Sequence, residues 1–387
     1  MNMLVDYSLK MPRNVLAGEH ALEEIITVIP KETKKVVIFT DKGIINAGLI
    51  KPVECILKEE EIPYTTVSDI PPEPTYHQVQ EVVDRFKEEG ADFIIAVGGG
   101  SAMDSAKLAS LLSTDDYGVK DLLDNPLLAR KQVPSLLIPT TAGTGSEATP
   151  NAIVSVPEKN LKVGIVNPEM IPDFVVLDAR FIKNLPARIA AAPSVDAMCH
   201  AVECFTSKKR NPFSNSFALE AFDLIFNNII EATLNPEAME AKKKMLIAAF
   251  YAGVAITASG TTAIHALSYP LGGKYHIAHG VSNAILLMPV MKFNEPAIED
   301  YLAEAYDRVV HDGDKTLSVK EKSHYIINKM DEIVETLNIP KSLKEFGVPE
   351  TDLEGLVDSG MQVTRLLNNN MREVTAEDAR NIYKQVL

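Results

Sequence analysis

The 387-residue sequence predicts an α/β N-terminal domain followed by an all-α C-terminal domain. Three observations predict this. Short β-branched runs alternate with amphipathic segments up to about residue 178. Past that point convincing strands disappear and long helical patterns take over. The chain also exceeds the size at which one core stops growing, so two domains are expected, 1–185 and 186–387, divided near Leu185-Pro186.

The elements follow in order. Residues 34–40 (KKVVIFT) and 91–97 (ADFIIAV) are apolar runs closed by turn residues, as in strands buried on both faces. Between them, residues 44–60 and 76–89 carry helical spacing with charged outer faces, and 62–68 reads as another strand. Strand-like pieces continue at 136–139, 152–155, 162–166 and 174–177. Such alternation implies βαβ units and a mainly parallel sheet. In the second half, 188–206, 214–234, 236–259, 295–310, 320–337, 340–346 and 376–384 read as helices. No internal repeat or low-complexity stretch interrupts them.

Composition narrows the function classes. A net charge of -15 repels nucleic acid and anionic membrane surfaces, so neither is expected as a partner. No run of eighteen apolar residues is present, and the opening MNMLVDYSLK lacks a basic segment followed by an apolar core. Three cysteines (Cys55, Cys199, Cys204) without framework spacing suit a reducing compartment. The expectation is a cytoplasmic protein.

Two segments carry metal-binding chemistry. In SVDAMCH, Asp196 and His200 stand at i and i+4, one turn apart on one helical face. In TTAIHALSYPLGGKYHIAHG, His265 and His279 are separated by what reads as a glycine-rich turn. Several imidazoles in apolar company need partners, and a metal supplies one. One carboxylate and three imidazoles suit Fe(II), Zn(II) or Ni(II), with room for an oxygen substrate. Cys199, beside His200, points a quarter turn away and reads as packing.

A different segment suits an anion. Residues 91–107 run from a buried strand through Gly98, Gly99, Gly100 and Ser101 into a helix holding Asp104. Glycines let a ligand approach the backbone, and a helix N-terminus offers free N–H groups. The pattern is not G-x-G-x-x-G, and no acidic residue follows at the usual dinucleotide-fold distance. Residues 138–147 (IPTTAGTGSE) add hydroxyls from Thr140, Thr141 and Thr144 on a flexible loop. Asp41, after the first strong strand, is placed either to cap a helix or to accept from a ribose diol. In the second role it would favour NAD over NADP.

Together VGGGSAMDSAK, IPTTAGTGSE, DAMCHAVE and HALSYPLGGKYHIAHGVSNA resemble the iron-containing, or group III, alcohol dehydrogenases over essentially the whole chain. The resemblance implies a dinucleotide-binding α/β domain, a helical metal-binding domain, and a homo-oligomer. It makes Asp196, His200, His265 and His279 metal ligands, with Fe2+ foremost and Zn2+, Ni2+ or Mn2+ as alternatives. Gly98, Gly99, Gly100, Ser101, Asp104, Thr140, Thr141 and Thr144 match cofactor segments, and Lys162 and Asp41 sit where relatives also contact cofactor. Asn151 resembles a position near substrate.

The implied reaction is hydride transfer between NAD(H) and a small primary alcohol or aldehyde, the metal acting as Lewis acid on the substrate oxygen. Ile256, about two turns before His265 on what reads as one helical run, is placed to line a pocket for a medium-length chain.

Three departures stand out. Ala102 replaces a usual proline. Pro193-Ser194 precedes Val195-Asp196, near what reads as a helix start. Tyr269 stands where several relatives carry a second histidine proposed as proton relay, with His276 as its candidate substitute. Three other readings share the architecture: a dehydroquinate synthase-like lyase, a glycerol dehydrogenase-like enzyme, and a catalytically silent NAD-binding relative. The lyase needs converging Lys and Arg, and only Lys274 lies between His265 and His279. The glycerol dehydrogenase branch typically uses one aspartate and two histidines, so His200 argues against it.

Overall fold

A computed structural model describes residues 6–387. The opening segment, read as lacking the features of a signal peptide, falls partly on residues 1–5, outside the described residues. The chain divides into two compact units, Met11–Asn184 and Leu185–Leu387, residues 6–10 belonging with the latter.

The first unit contains β1 (Asn14–Ala17), β2 (Val36–Phe39), α1 (Lys42–Asn46), α2 (Lys51–Glu59), β3 (Tyr64–Val67), α3 (Tyr76–Glu89), β4 (Phe93–Gly98), α4 (Gly100–Leu111), α5 (Val119–Asp124), β5 (Ser135–Pro139), β6 (Asn151–Val156), β7 (Leu161–Val166) and β8 (Phe174–Leu177). Six strands form one parallel sheet in the order β1-β8-β5-β4-β2-β3, while β6 and β7 form a separate antiparallel hairpin. Strands β2, β4 and β5 are buried throughout, as continuous apolar runs require.

Alternate residues of these strands feed two cores. Val37, Phe39, Ile94, Ala96 and Leu137 enter one, with Phe86 of α3. Val36, Ile38, Phe93, Ile95, Val97 and Ile138 enter the other, with Val53 and Leu57 of α2. Each fully buried aliphatic side chain contributes roughly 1.5–3 kcal/mol, which holds the helices on both faces.

Two local readings change. The predicted helix over 44–60 is two helices, because the chain turns at Gly48 (φ +72°) and Pro52 lies in the first turn of α2. A proline without an N–H is tolerated there and not at mid-helix. Strand β1 escapes sequence reading because it is a short edge strand, only half-buried, with no alternation.

The second unit is helical: α6 (Ala187–Phe205), α7 (Pro212–Leu234), α8 (Met239–Ser259), α9 (Ala263–Tyr275), α10 (His279–Val309), α11 (Val319–Thr336), α12 (Leu353–Met361), α13 (Thr364–Leu367) and α14 (Ala376–Lys384). Four expectations are corrected. The helix expected at 295–310 begins at His279 and runs through Pro289 and Pro296. Residues 340–346 yield only a 3-10 turn, Leu343–Phe346. Gly272 and Gly273 lie inside α9, so the break before His279 falls at His276, which takes a left-handed conformation (φ 54°). Pro193 is interior to α6 rather than near its start. Among the described residues no single helix is long and apolar enough to cross a membrane.

Candidate functional site

Helix α6 supplies the first part of a metal-binding cluster. Asp196, His200 and Glu203 stand at i, i+4 and i+7 and so share one face, and all three are buried. Helices α8 and α9 meet at a bend of 105°, and α9 brings in His265. His279 opens α10. The bend also separates Ile256, half-buried on α8, from His265, so the two do not share one helix.

One ligand atom from each of Asp196, His200, His265 and His279 lies within 4.8 Å of the others. The Nε2 atoms of His200, His265 and His279 stand 3.8, 3.5 and 3.7 Å from Asp196 Oδ1. The His200 and His265 rings stack with centroids 4.6 Å apart. Three imidazole nitrogens around a carboxylate oxygen form a donor set that fits a borderline divalent ion.

Supporting groups surround this set. Asn283, one turn beyond His279, donates from Nδ2 to Asp196 Oδ1 at 2.6 Å and lies 3.1 Å from His265 Nε2. Its own buried Oδ1 has no hydrogen-bond partner among the described residues. Glu203 hydrogen-bonds His265 Nδ1. Burial raises the Asp196 carboxyl, yet the surrounding imidazoles outweigh it and hold it well below the usual carboxylate range. Burial pushes His265 down, but Glu203 and Asp196 prevail and lift it to about 9. Both shifts express one fact: two buried carboxylates make this pocket favour positive charge.

Glu203 and Asn283 lie within the motifs read from sequence but had no role there. The i+7 spacing of Glu203 from Asp196 and the i+4 spacing of Asn283 from His279 were the available signals. Cys199 is fully buried and packs in the core. Tyr269 is nearly buried, its ring 6.1 Å from that of His279. His276 is exposed at the C-terminal cap of α9.

In the α/β unit the chain passes from β2 to β3 on one side and returns to β4 on the other, so β2 and β4 border a switch point in the sheet. Ligands bind outside the carboxyl ends of strands at such points. Asp41 follows β2, and Gly98 to Gly100 join β4 to α4. A Cβ on Gly98 would come 2.7 Å from that of Ala102, and one on Gly100 would come 3.1 Å from Thr144 Cγ2. A Cβ on Gly99 would meet Thr141 Oγ1 at 3.8 Å. The glycine loop thus lies against the threonine loop, which Thr140 N–H ties to Gly98 O at 3.0 Å. A side chain would be crowded at Gly98 and Gly100, and Gly99 carries none, leaving a cradle whose backbone N–H groups are free to face an anion.

Other residues read from sequence serve this scaffold. Asp41 caps α1, accepting from Ile44 N–H at 3.0 Å. Both oxygens of Asp104 are engaged, one by Ser146 Oγ–H and one by Ile153 N–H at 2.8 Å, with Lys107 Nζ 3.1 Å away. Asp104 therefore clamps the threonine loop and β6 to α4. Lys162 Nζ pairs with Glu73 Oε1 at 2.6 Å, and Glu73 N–H donates to Ser101 Oγ at 3.0 Å. Asn151, half-buried, opens β6 opposite Val166.

Residues 12–179 match the iron-containing alcohol dehydrogenase family, and residues 190–387 match the family's C-terminal domain. The chain belongs to the iron-containing alcohol dehydrogenase family. It is an oxidoreductase of the alcohol dehydrogenase class. Among curated relatives, long-chain-alcohol dehydrogenase 1 of Geobacillus thermodenitrificans is 33% identical, across 95% of this chain and 93% of that one. The NAD-dependent methanol dehydrogenase of Bacillus methanolicus is 29% identical, across 97% and 99%. Among solved structures, the alcohol dehydrogenase from Oenococcus oeni superposes with a TM-score of 0.92 at 29% identity, covering 99% of this chain and 100% of that chain. This family member thus shares both its α/β and its helical parts with solved alcohol dehydrogenases.

Proposed function

We propose that this enzyme transfers hydride between NAD(H) and a small primary alcohol or aldehyde, with a divalent ion held by Asp196, His200, His265 and His279. The observation that carries the reading is the convergence of those four ligand atoms within 4.8 Å. When bound, the ion supplies Lewis acidity toward the substrate oxygen. Fe2+ is the family's eponymous metal, and the same donors accept Zn2+, Ni2+ or Mn2+.

The α/β part, read from sequence as 1–185, is assigned to the dinucleotide and the helical part, read as 186–387, to the metal, although residues 6–10 group with the helical part. The N–H groups around Gly98, Gly99, Gly100 and Ser101 bind the pyrophosphate, and Thr140, Thr141 and Thr144 wall the loop. Asp104 and Lys162 hold that loop and the β6–β7 hairpin in place. The Asp41 carboxylate keeps one oxygen for a ribose hydroxyl and disfavours a 2′-phosphate, so NAD is preferred over NADP. Tyr269, packed beside the His279 ring, is the better placed proton relay, because His276 faces solvent. Asn151 and Ile256 are proposed to line the substrate path. A homo-oligomer in the cytoplasm completes the reading, with no nucleic acid or membrane partner.

The test is NADH oxidation with a panel of short aldehydes, on protein stripped of metal and reconstituted with Fe(II), Zn(II), Ni(II) or Mn(II). Turnover should appear only after reconstitution, and Asp196→Ala should abolish it. Metal-independent turnover, or none with any ion, would sink the reading. In the same assay Tyr269→Phe should slow turnover at unchanged metal content, and an unchanged rate would transfer the relay to His276.

A further inference from the structure

The second carboxylate of the cluster has a geometry of its own. Glu203 is 1% exposed, and its two oxygens do different things. Oε1 accepts from Thr262 N–H at 3.1 Å, from the Thr262 hydroxyl at 2.7 Å and from Ile264 N–H at 2.8 Å. It therefore caps the N-terminus of α9, which offers no side chain of its own for the purpose. Oε2 faces His265 Nδ1. A carboxylate accepts, so the proton of this bond belongs to Nδ1, which makes Nε2, 3.5 Å from Asp196, the nitrogen that gives up its proton to a metal.

We propose that Glu203 is a positioning residue that sets the His265 tautomer for metal ligation and supplies, with Asp196, the second negative charge that balances a divalent ion. The proposal rests on the metal reading above. One carboxylate does both jobs because cap and ligand lie three residues apart on α9. The oxygen that fixes the start of the helix fixes where His265 stands, and the other oxygen fixes which nitrogen a metal can take.

Glu203→Gln separates this role from a structural one. The glutamine carbonyl still accepts the three donors at α9, so the fold survives. Its amide N–H now faces His265 Nδ1, which must become the acceptor and send the imidazole proton to Nε2, where it blocks ligation. Outer partners of ligating histidines are typically worth about 10–100-fold in metal affinity.

The experiment titrates Co2+ into the full-length metal-free protein against a competing chelator, following the visible Co2+ absorption. Wild type, Glu203→Gln, Glu203→Ala and Asp196→Ala are compared, with thermal unfolding of each metal-free protein. Glu203→Gln should lose about 10–100-fold in Co2+ affinity, with an altered spectrum and an unchanged unfolding midpoint. Glu203→Ala should lose affinity and also melt lower, because α9 loses its cap. Wild-type affinity in Glu203→Gln overturns the proposal, as does a loss matched by a lower midpoint. If the wild type takes up no Co2+, or Asp196→Ala binds it as well, the metal reading itself is overturned and the Glu203 proposal falls with it.

Discussion

Burial decides the behaviour of single residues in both units. Asp196 and Glu203 are buried carboxylates that lie among imidazoles and N–H donors. Glu147, in the threonine-rich loop, is as buried as Asp196, and a backbone hydrogen bond and Lys107 only partly compensate, so burial lifts its carboxyl to about 7 from 4.5. Below about pH 4.5 the group is protonated folded or unfolded and has no effect. As pH rises toward 7 the unfolded chain ionises first, so stability falls, by on the order of 3 kcal/mol in all, and is flat above. Glu147→Gln should remove that slope, leaving the variant more stable than wild type at pH 8 and equal to it near pH 4. Urea unfolding across this range measures it, and an undiminished slope in the variant would assign the effect to another group. The residue types of the ligand set were legible in the sequence because Asp196 and His200 share a helical period. The role of Glu203 was not, because its partners Thr262, Ile264 and His265 lie some sixty residues away on another helix.

At the scale of elements, one close approach brings the first turn of α10 against α6. A Cβ on Gly280 would lie 2.4 Å from the carbonyl oxygen of Ala192 and 2.6 Å from its carbon, contacts only a glycine permits. Pro193 follows at once inside α6, so the Ile189 carbonyl has no helical donor there. Gly280→Ala should push the two helices apart, with a stability loss of about 1–3 kcal/mol and weaker metal uptake, since His279 moves with the turn. Thermal unfolding and metal content of the purified variant test this, and wild-type values for both would show that the helices slide past each other freely. Sequence reading located α3, α6, α7 and α14 to within two residues, helped by start signals at Thr75, Pro186, Asn211 and Thr375. It stopped short at α10, where Pro289 and Pro296 read as breaks although tertiary packing carries the helix through them.

For the whole molecule, each proposed ligand belongs to one unit, which makes their effects separable. A divalent ion at a hundred times its Kd should stabilise the native state by about 2.7 kcal/mol, and NADH should do the same through the other unit. Asp196→Ala should abolish the metal-dependent rise in unfolding midpoint and keep that from NADH. Loss of both shifts would mean that the variant is misfolded rather than unable to bind. Residue pattern alone determined the succession of an α/β part and a helical part, the buried strands, and the aspartate and histidines suited to a metal, because each of these is a local property of spacing and polarity. Only the tertiary structure decided that β6 and β7 stand apart from the main sheet and that Asp104 clamps a loop. It alone decided that α9 breaks at His276 and that Glu203 orients His265. Those outcomes depend on partners distant in sequence, whose hydrogen bonds and close approaches leave no periodic trace in the chain.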